Sequence, residues 1–206
     1  MILNIHPDNP DHRKIRQVVD ILNKGGVIIY PTDTVYSLGC SIRHKRAIEQ
    51  LARLKELKLK KATFSIIFHD LGQLSEYTKH IDRPAYKILN KNLPGPFTFI
   101  LGASPQIPRL FDSNRKTIGI RIPDNNIAQA IVAELGHPLV TTSLHDDDEI
   151  LEYPTDPELI AETWENKVDV VIDGGYGNNV PSTVVDLSEG GGDVEIVRQG
   201  VGELVY

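Results

Sequence analysis

The chain has 206 residues, 40% of them hydrophobic and 24% charged, and its formal net charge is −6 at pH 7. This composition is ordinary for a soluble globular protein and argues against a surface that attracts nucleic acid as a whole. A single cysteine, Cys40, excludes an internal disulfide, and no apolar run approaches the roughly 20 residues that cross a membrane, so we expect a cytoplasmic protein without a membrane partner.

Apolar spacing and turn residues predict helices and strands that alternate along the chain. The predicted helices cover residues 10–23 (with Asn9 as N-cap), 45–57, 70–77 (a short one), 82–92, 126–135 and 156–166. The predicted strands cover residues 27–30, 64–68, 97–101, 117–122, 138–143, 168–172, 183–187 and 194–197. Residues 102–116 look irregular. No linker or change in composition divides the chain, which predicts one α/β domain, residues 1–206, with a mixed sheet flanked by helices.

A polar cluster follows the buried strand over residues 27–30, which Pro31 ends because proline lacks the N–H of the ladder. The cluster consists of Thr32, Asp33, Thr34 and Tyr36. Hydroxyls and a carboxylate at a strand end are a common way to build a small-molecule site in an α/β fold. The same residue types also hydrogen-bond turns, so both interpretations stay open.

Further polar residues occur at strand ends later in the chain. Thr98 lies just inside the strand that follows the rigid turn at residues 94–96, and Ser182 and Arg198 lie near the end of the sequence. Arg121 lies inside an otherwise apolar strand, where a buried guanidinium requires an anionic partner, either a ligand or an internal carboxylate. The sequence contains neither a Walker A motif nor Gly-x-Gly-x-x-Gly, so a phosphate site would need another kind of cradle.

The charge is unevenly distributed. Residues 43–61 carry eight lysines or arginines against two glutamates, so this segment is +6 and the remainder is −12. A basic ridge suits a phosphate-bearing ligand or an RNA backbone, and it is also what a solvated helix face looks like. Seven scattered histidines argue against zinc, and the acidic run over residues 145–149 is either a Mg²⁺ site or a solvated loop.

Taken together, these motifs resemble the YrdC family, most closely its YciO branch. The family signature Pro-Thr-Glu-Thr-Val-Tyr-Gly-Leu-Gly is similar to Pro31-Thr32-Asp33-Thr34-Val35-Tyr36-Ser37-Leu38-Gly39. The match continues, in order, through the basic helix, Pro94-Gly95-Pro96-x-Thr98, residues 117–123, residues 181–186 and Arg198-x-Gly200. The features typical of the YciO branch are the opening residues 5–10, the lead-in at residues 116–119 and the segment at residues 142–144.

This resemblance implies a twisted mixed sheet with a large concave site. It also implies the activity of threonylcarbamoyl-AMP synthases, which join L-threonine, bicarbonate and ATP with release of pyrophosphate, the first half of making the t6A base of tRNA. ATP would be a substrate that arrives with Mg²⁺, and no tightly bound cofactor is expected. Family members are also described as binding double-stranded RNA, so RNA, either tRNA or a duplex, is a further expected partner.

The resemblance assigns roles to individual positions. The implied substrate-binding residues are Thr32, Thr34, Tyr36, Arg121 and Ser182. The implied nucleotide-binding residues are Lys58, Lys60, Thr98, Ser143 and Arg198. The implied catalytic residues are Lys55 and Ser143.

Two departures from the synthase pattern affect the expected activity. The family's Lys-x-Arg falls either on Lys55, with Leu57 at the arginine position, or on Lys58 and Lys60, depending on the direction of counting. His145 stands where the family's Ser-x-Asn has asparagine. Lysine lacks the bidentate fork of arginine, and each lost contact to the transition state lowers the rate. We therefore expect a weak or altered synthase, with an RNA- or nucleotide-binding protein without synthase activity as the alternative.

Overall fold

The computed structural model describes residues 1–111, 113–144 and 155–206, so the acidic run at 145–149 lies outside the described residues. Within these ranges the chain forms a ten-stranded mixed sheet. The strands are β1 (Ile2–Asn4), β2 (Val27–Tyr30), β3 (Ser37–Ser41), β4 (Ser65–Ile67), β5 (Phe97–Gly102), β6 (Thr117–Arg121), β7 (Leu139–Ser143), β8 (Val170–Asp173), β9 (Thr183–Asp186) and β10 (Glu195–Arg198). Their order across the sheet is β1-β8-β2-β3-β7-β4-β6-β5-β9-β10.

Seven helices flank the sheet in the described part of the chain. They are α1 (His12–Asn23), α2 (Lys45–Leu54), α3 (Leu74–Tyr77), α4 (Arg83–Asn92), α5 (Gln106–Phe111), α6 (Asn126–Leu135) and α7 (Pro157–Thr163). Short 3-10 turns occur at Leu59–Lys61 and Leu71–Gln73. None of the helices described is long and apolar enough to cross a membrane.

The sheet separates two apolar cores because side chains on a strand alternate between its faces. In β2, Val27 and Ile29 join one core, whereas Ile28 and Tyr30 join the other. Helices α1 and α6 pack together over the second core. The remaining helices contribute their buried residues to the first core. Burial of the apolar side chains in these two cores is the main stabilising contribution to this layered arrangement, at roughly 25 cal/mol for each Å² of apolar surface removed from water.

Several predicted boundaries are wrong. Helix α1 is capped by Asp11, whose carboxylate accepts from the Arg13 amide at 2.8 Å, and Asn9 lies outside it. Helix α2 ends at Leu54, three residues before its predicted end at residue 57. Helix α5 occupies part of the stretch that looked irregular, and strands β1 and β3 were not predicted at all. Most predicted elements are nevertheless present with shifted ends, and the mixed parallel and antiparallel pairing is confirmed.

Candidate functional site

A polar patch lies on the sheet face that carries the second core, in the part that α1 and α6 leave uncovered. Polar residues on β3, β7 and β4, and on β5 beyond β6, point to this face: Ser37, Thr141, Ser143, Ser65 and Thr98. The register places Ser37 opposite Ser143, and Ser65 opposite both Thr141 and Gly119. A Cβ on Gly119 would meet the Ser65 hydroxyl oxygen at 2.7 Å, so the glycine keeps the floor of the patch open.

The turn between β2 and β3 crosses this face and is held by its own hydroxyls. Thr32 Oγ1 donates to the Val35 carbonyl at 2.8 Å and accepts from the Thr34 amide at 3.1 Å. The Thr34 hydroxyl lies 3.1 Å from Thr32 Oγ1 and accepts from Arg121 at 3.0 Å. Thr32 therefore shapes the turn. Of these two threonines, Thr34 lines the cavity that the turn and the patch enclose.

An ion pair joins this turn to the end of β6. Arg121 Nη2 donates to Asp33 Oδ1 at 2.9 Å, and the two side chains are only 7% and 8% exposed. Asp33 Oδ2 accepts from the Asp124 amide at 2.8 Å. Burial raises the pKa of the Asp33 carboxyl, an effect that Arg121 and the Asp124 amide oppose. Of the two partners that the sequence left open for Arg121, the structure thus contains the internal carboxylate.

The opposite wall of the cavity comes from β5 and β9. The Thr98 and Ser182 hydroxyl oxygens lie 2.8 Å apart, so one donates to the other. Arg198 Nη2 donates to the Ser182 carbonyl at 3.0 Å, which holds the second arginine against the same wall. Among the described lining residues, Arg121 and Arg198 are the charged ones. The cavity is therefore cationic and rich in hydroxyls, which is chemistry suited to carboxylate or phosphate oxygens.

The cavity of about 90 Å³ that these residues enclose is small. One water needs about 10–15 Å³ of such volume, so the enclosed part holds a ligand about the size of an amino acid. A nucleotide would have to extend beyond it.

The structure brings together six of the eleven residues that the sequence singled out: Thr34, Thr98, Arg121, Ser143, Ser182 and Arg198. Thr32 supports the turn from behind. The Tyr36 hydroxyl donates to the Gly175 carbonyl at 2.7 Å and accepts from the Gly174 amide at 3.1 Å, so it ties the turn to the loop after β8. Burial raises its pKa to about 12.

The three lysines among the predicted site residues do not line the cavity. Lys55 is 8% exposed at the C-terminal end of α2, whereas Lys58 and Lys60 are exposed on the following loop. That loop leads to Thr63, which does line the cavity.

Other lining residues were not predicted as site residues. They are Val35, Ser37, Thr63, Ser65, Thr141, Thr142, Pro181 and Val184. A usable signal was present in the sequence for Ser65, the one polar residue in the predicted strand over residues 64–68. Ser37 and Thr141 lie in segments with several polar residues, and their place in the patch depends on the pairing of β3 with β7.

Comparison with known proteins assigns the chain to a family. The family model for Sua5, YciO and YrdC proteins, described as "Telomere recombination", matches residues 20–200. The uncharacterized protein YciO of Escherichia coli K12 is 44% identical over 202 residues, covering 97% of this chain and 95% of YciO. The crystal structure of E. coli YciO matches with a TM-score of 0.88 at 42% identity, over 98% of this chain and 97% of the other.

Synthases are more distant relatives. The threonylcarbamoyl-AMP synthase of Coxiella burnetii is 30% identical over 187 residues, 90% of this chain and 97% of the synthase. Pyrococcus abyssi Sua5, crystallised with L-threonine, matches with a TM-score of 0.86 at 27% identity, over 97% of this chain and 57% of Sua5. The part that these proteins share with this chain is a single α/β domain with a mixed sheet flanked by helices. The chain belongs to the Sua5/YciO/YrdC family, which confirms the resemblance and the fold expected from it.

Proposed function

We propose that the cavity binds L-threonine and that the protein is an L-threonylcarbamoyladenylate synthase-like enzyme. The observation that carries this proposal is the way Arg121 is held. Its Nη2 is engaged by Asp33 and Thr34, and its Nε is buried without a partner among the described residues. Arg121 lines the cavity, so its Nε and Nη1 are the nitrogens left to meet a ligand oxygen there. A fixed, desolvated guanidinium is a strong anchor for a carboxylate.

The size and lining of the cavity support an amino acid as the anchored molecule. Hydroxyls of Thr34, Ser65, Thr98 and Ser182 offer donors and acceptors to an ammonium and a side-chain hydroxyl. The Coxiella relative is a threonylcarbamoyl-AMP synthase, and the P. abyssi relative was crystallised with L-threonine. Both come from the family to which this chain belongs, and both support the same substrate.

The proposed reaction has two bond-forming steps. The threonine amine attacks the carbon of bicarbonate, and loss of water leaves a carbamate. A carbamate oxygen then attacks the α-phosphorus of ATP, and pyrophosphate leaves, so threonylcarbamoyl-AMP, pyrophosphate and water are the products. Alignment of amine and bicarbonate supplies much of the first step, and no residue is assigned as a general base. Arg198, at the wall opposite Arg121, would stabilise charge on phosphate oxygens, and Mg²⁺ would arrive with the nucleotide.

The test is isothermal titration with ATP, L-threonine and bicarbonate, followed by an assay of pyrophosphate release. We expect threonine to tighten ATP binding and release to need all three substrates. Ser182→Ala should weaken threonine binding about tenfold, as loss of one good hydrogen bond to a charged group does. Ser188→Ala removes a hydroxyl that does not line the cavity and should change nothing. Absence of both threonine binding and pyrophosphate release would overturn the proposal.

A second function, binding of RNA or a free nucleotide without synthase chemistry, is favoured by the basic segment. Of its eight cations only Lys55 is buried, and the exposed ones are Arg43, Lys45, Arg46, Arg53, Lys58, Lys60 and Lys61. A ridge of exposed cations is the footprint that a phosphate backbone needs. Under this alternative, binding of double-stranded RNA falls with salt and weakens when Lys58, Lys60 and Lys61 become alanine. Binding that ignores salt, or no binding, contradicts it.

A further inference from the structure

A second cavity lies at the other end of the β3–β7 strand pair. The first cavity contains the start of β3 and the end of β7, whereas the second is bordered by the residues just after β3 and just before β7. With five residues per strand and about 3.3 Å per residue, the two cavities are separated by about 13 Å of sheet. Helices α3 and α5 close the second cavity, whose volume is about 390 Å³.

Charges of opposite sign flank this cavity without pairing. Arg43 and Glu76 both line it, together with Tyr77. Over the described part of the chain, the ion pairs join other residues, so the Arg43 guanidinium and the Glu76 carboxylate stand apart. Because both residues line the cavity, a single small molecule bound in it could contact both charges.

The buried side of the cavity is polar and neutral. His137 is 5% exposed, and its Nε2 lies 2.6 Å from the hydroxyl oxygen of Ser41. Burial, assisted by the charge of Arg43, lowers the pKa of His137 to about 4, so the ring adds no charge at neutral pH. Gln73 and Gln106 add amide groups to the rim. The charged groups that meet the cavity are therefore one cation and one anion.

We propose that this second cavity is a binding site for a small zwitterion, a free amino acid or dipeptide. A plain anion would be attracted by Arg43 and repelled by Glu76, and a plain cation would meet the reverse. A molecule with a carboxylate at one end and an ammonium at the other satisfies both charges at once. The volume agrees, because cavities of about 300–1,000 Å³ hold small organic ligands. The proposal does not depend on the function proposed for the first cavity.

The test is a titration of the ¹⁵N-labelled protein followed by amide NMR shifts, with L-alanine and glycylglycine as probes. Propionate and propylamine serve as matched ligands that carry one charge each. We expect saturable shifts at the amides of Gly72 and Gly136, which border the second cavity. The two single-charge ligands should bind at least about tenfold more weakly than the zwitterions.

Variants assign the two charges. Arg43→Ala and Glu76→Ala should each weaken binding about tenfold. Both residues are exposed, so the fold should persist. Arg46→Ala and Glu165→Ala remove exposed charges that do not line this cavity and should leave affinity unchanged. The proposal is overturned if nothing saturates below ~10 mM, if propionate binds equally well, or if both cavity variants bind normally. Shifts confined to Ser37 and Ser182 would also overturn it, while supporting amino-acid binding at the first cavity.

Discussion

Asp33 and Arg121, 88 residues apart in sequence, meet at 2.9 Å as a buried ion pair. The pair is the point at which the turn after β2 is fastened to the end of β6. Both partners gain further support, since Asp33 accepts the Asp124 amide and Arg121 donates to Thr34. One carboxylate oxygen of Asp33 accepts from Arg121 and the other accepts from the Asp124 amide. The carboxylate therefore fixes both the turn and the arginine that we assign to ligand binding.

Removing Asp33 should therefore cost both stability and binding. Asp33→Ala leaves a guanidinium buried without its anion, and breaking a buried pair in this way costs about 3–5 kcal/mol. Urea denaturation measures the loss, and Asp124→Ala, which removes an exposed carboxylate beside the pair, is the control. A change in unfolding free energy below about 1 kcal/mol, the value typical of a surface pair, would show that the pair does not hold the turn.

The size of the first cavity depends on Gly119. A methyl group there would lie 2.7 Å from the Ser65 hydroxyl oxygen and 3.1 Å from Thr98 Cγ2. We expect Gly119→Ala to destabilise the protein by about 1–3 kcal/mol, as overpacking does, and to abolish threonine binding. The double variant Ser65→Ala with Gly119→Ala removes the clashing oxygen and should recover part of the stability. If the double variant is no more stable than Gly119→Ala, the clash is not the cause.

The sequence predicted the elements whose signals are local. Asp70 and Asp82 were expected to start helices, and each accepts a backbone N–H in the first turn of one. Gly25 follows Lys24, the C-cap of α1, and it has the positive φ of +82° that such a position favours. Caps and apolar periodicity lie within a few residues of one another, which is why sequence patterns reveal them.

What the sequence missed depends on pairing between distant segments. Strand β3 contains Ser37, Gly39 and Ser41, residues that disfavour an apolar strand pattern, and it is a strand because β2 and β7 flank it. The Asp33–Arg121 pair and the Thr98–Ser182 contact likewise join segments far apart in the chain. The motif resemblance located six cavity residues, whereas the lysines taken from the ambiguous Lys-x-Arg register lie away from the cavity.

Asn92 ties the C-terminal segment to α4. Asn92 is 7% exposed, its Nδ2 donates to the carbonyls of Ile88 and Val205, and its Oδ1 accepts from the Val205 amide. Asn92→Leu should cost about 1–3 kcal/mol because it removes the partner of the Val205 amide and carbonyl. Hydrogen exchange at the Val205 amide should become faster. Asn90→Ala, an exposed asparagine on the same helix, should leave that exchange rate unchanged.

Acid should destabilise the protein through His137. Its pKa falls from 6.5 to about 4 in the folded protein, because burial disfavours the charged ring and Arg43 and His44 repel it. Between these values the unfolded chain binds more protons than the folded one, so this residue's contribution to stability is complete above 6.5 and is lost as the pH falls towards 4. The ring borders the second cavity, where solvent screens part of the effect, so we expect a loss of roughly 1–2 kcal/mol rather than the full value of the shift.

Urea denaturation gives the free energy of unfolding of the wild type and of His137→Gln at about pH 7.5 and about pH 4.5. The loss is the amount by which the difference between the two proteins changes from the higher pH to the lower. His80→Gln, at an exposed position, should give no such change, and an equal response of both variants would contradict the assignment to His137.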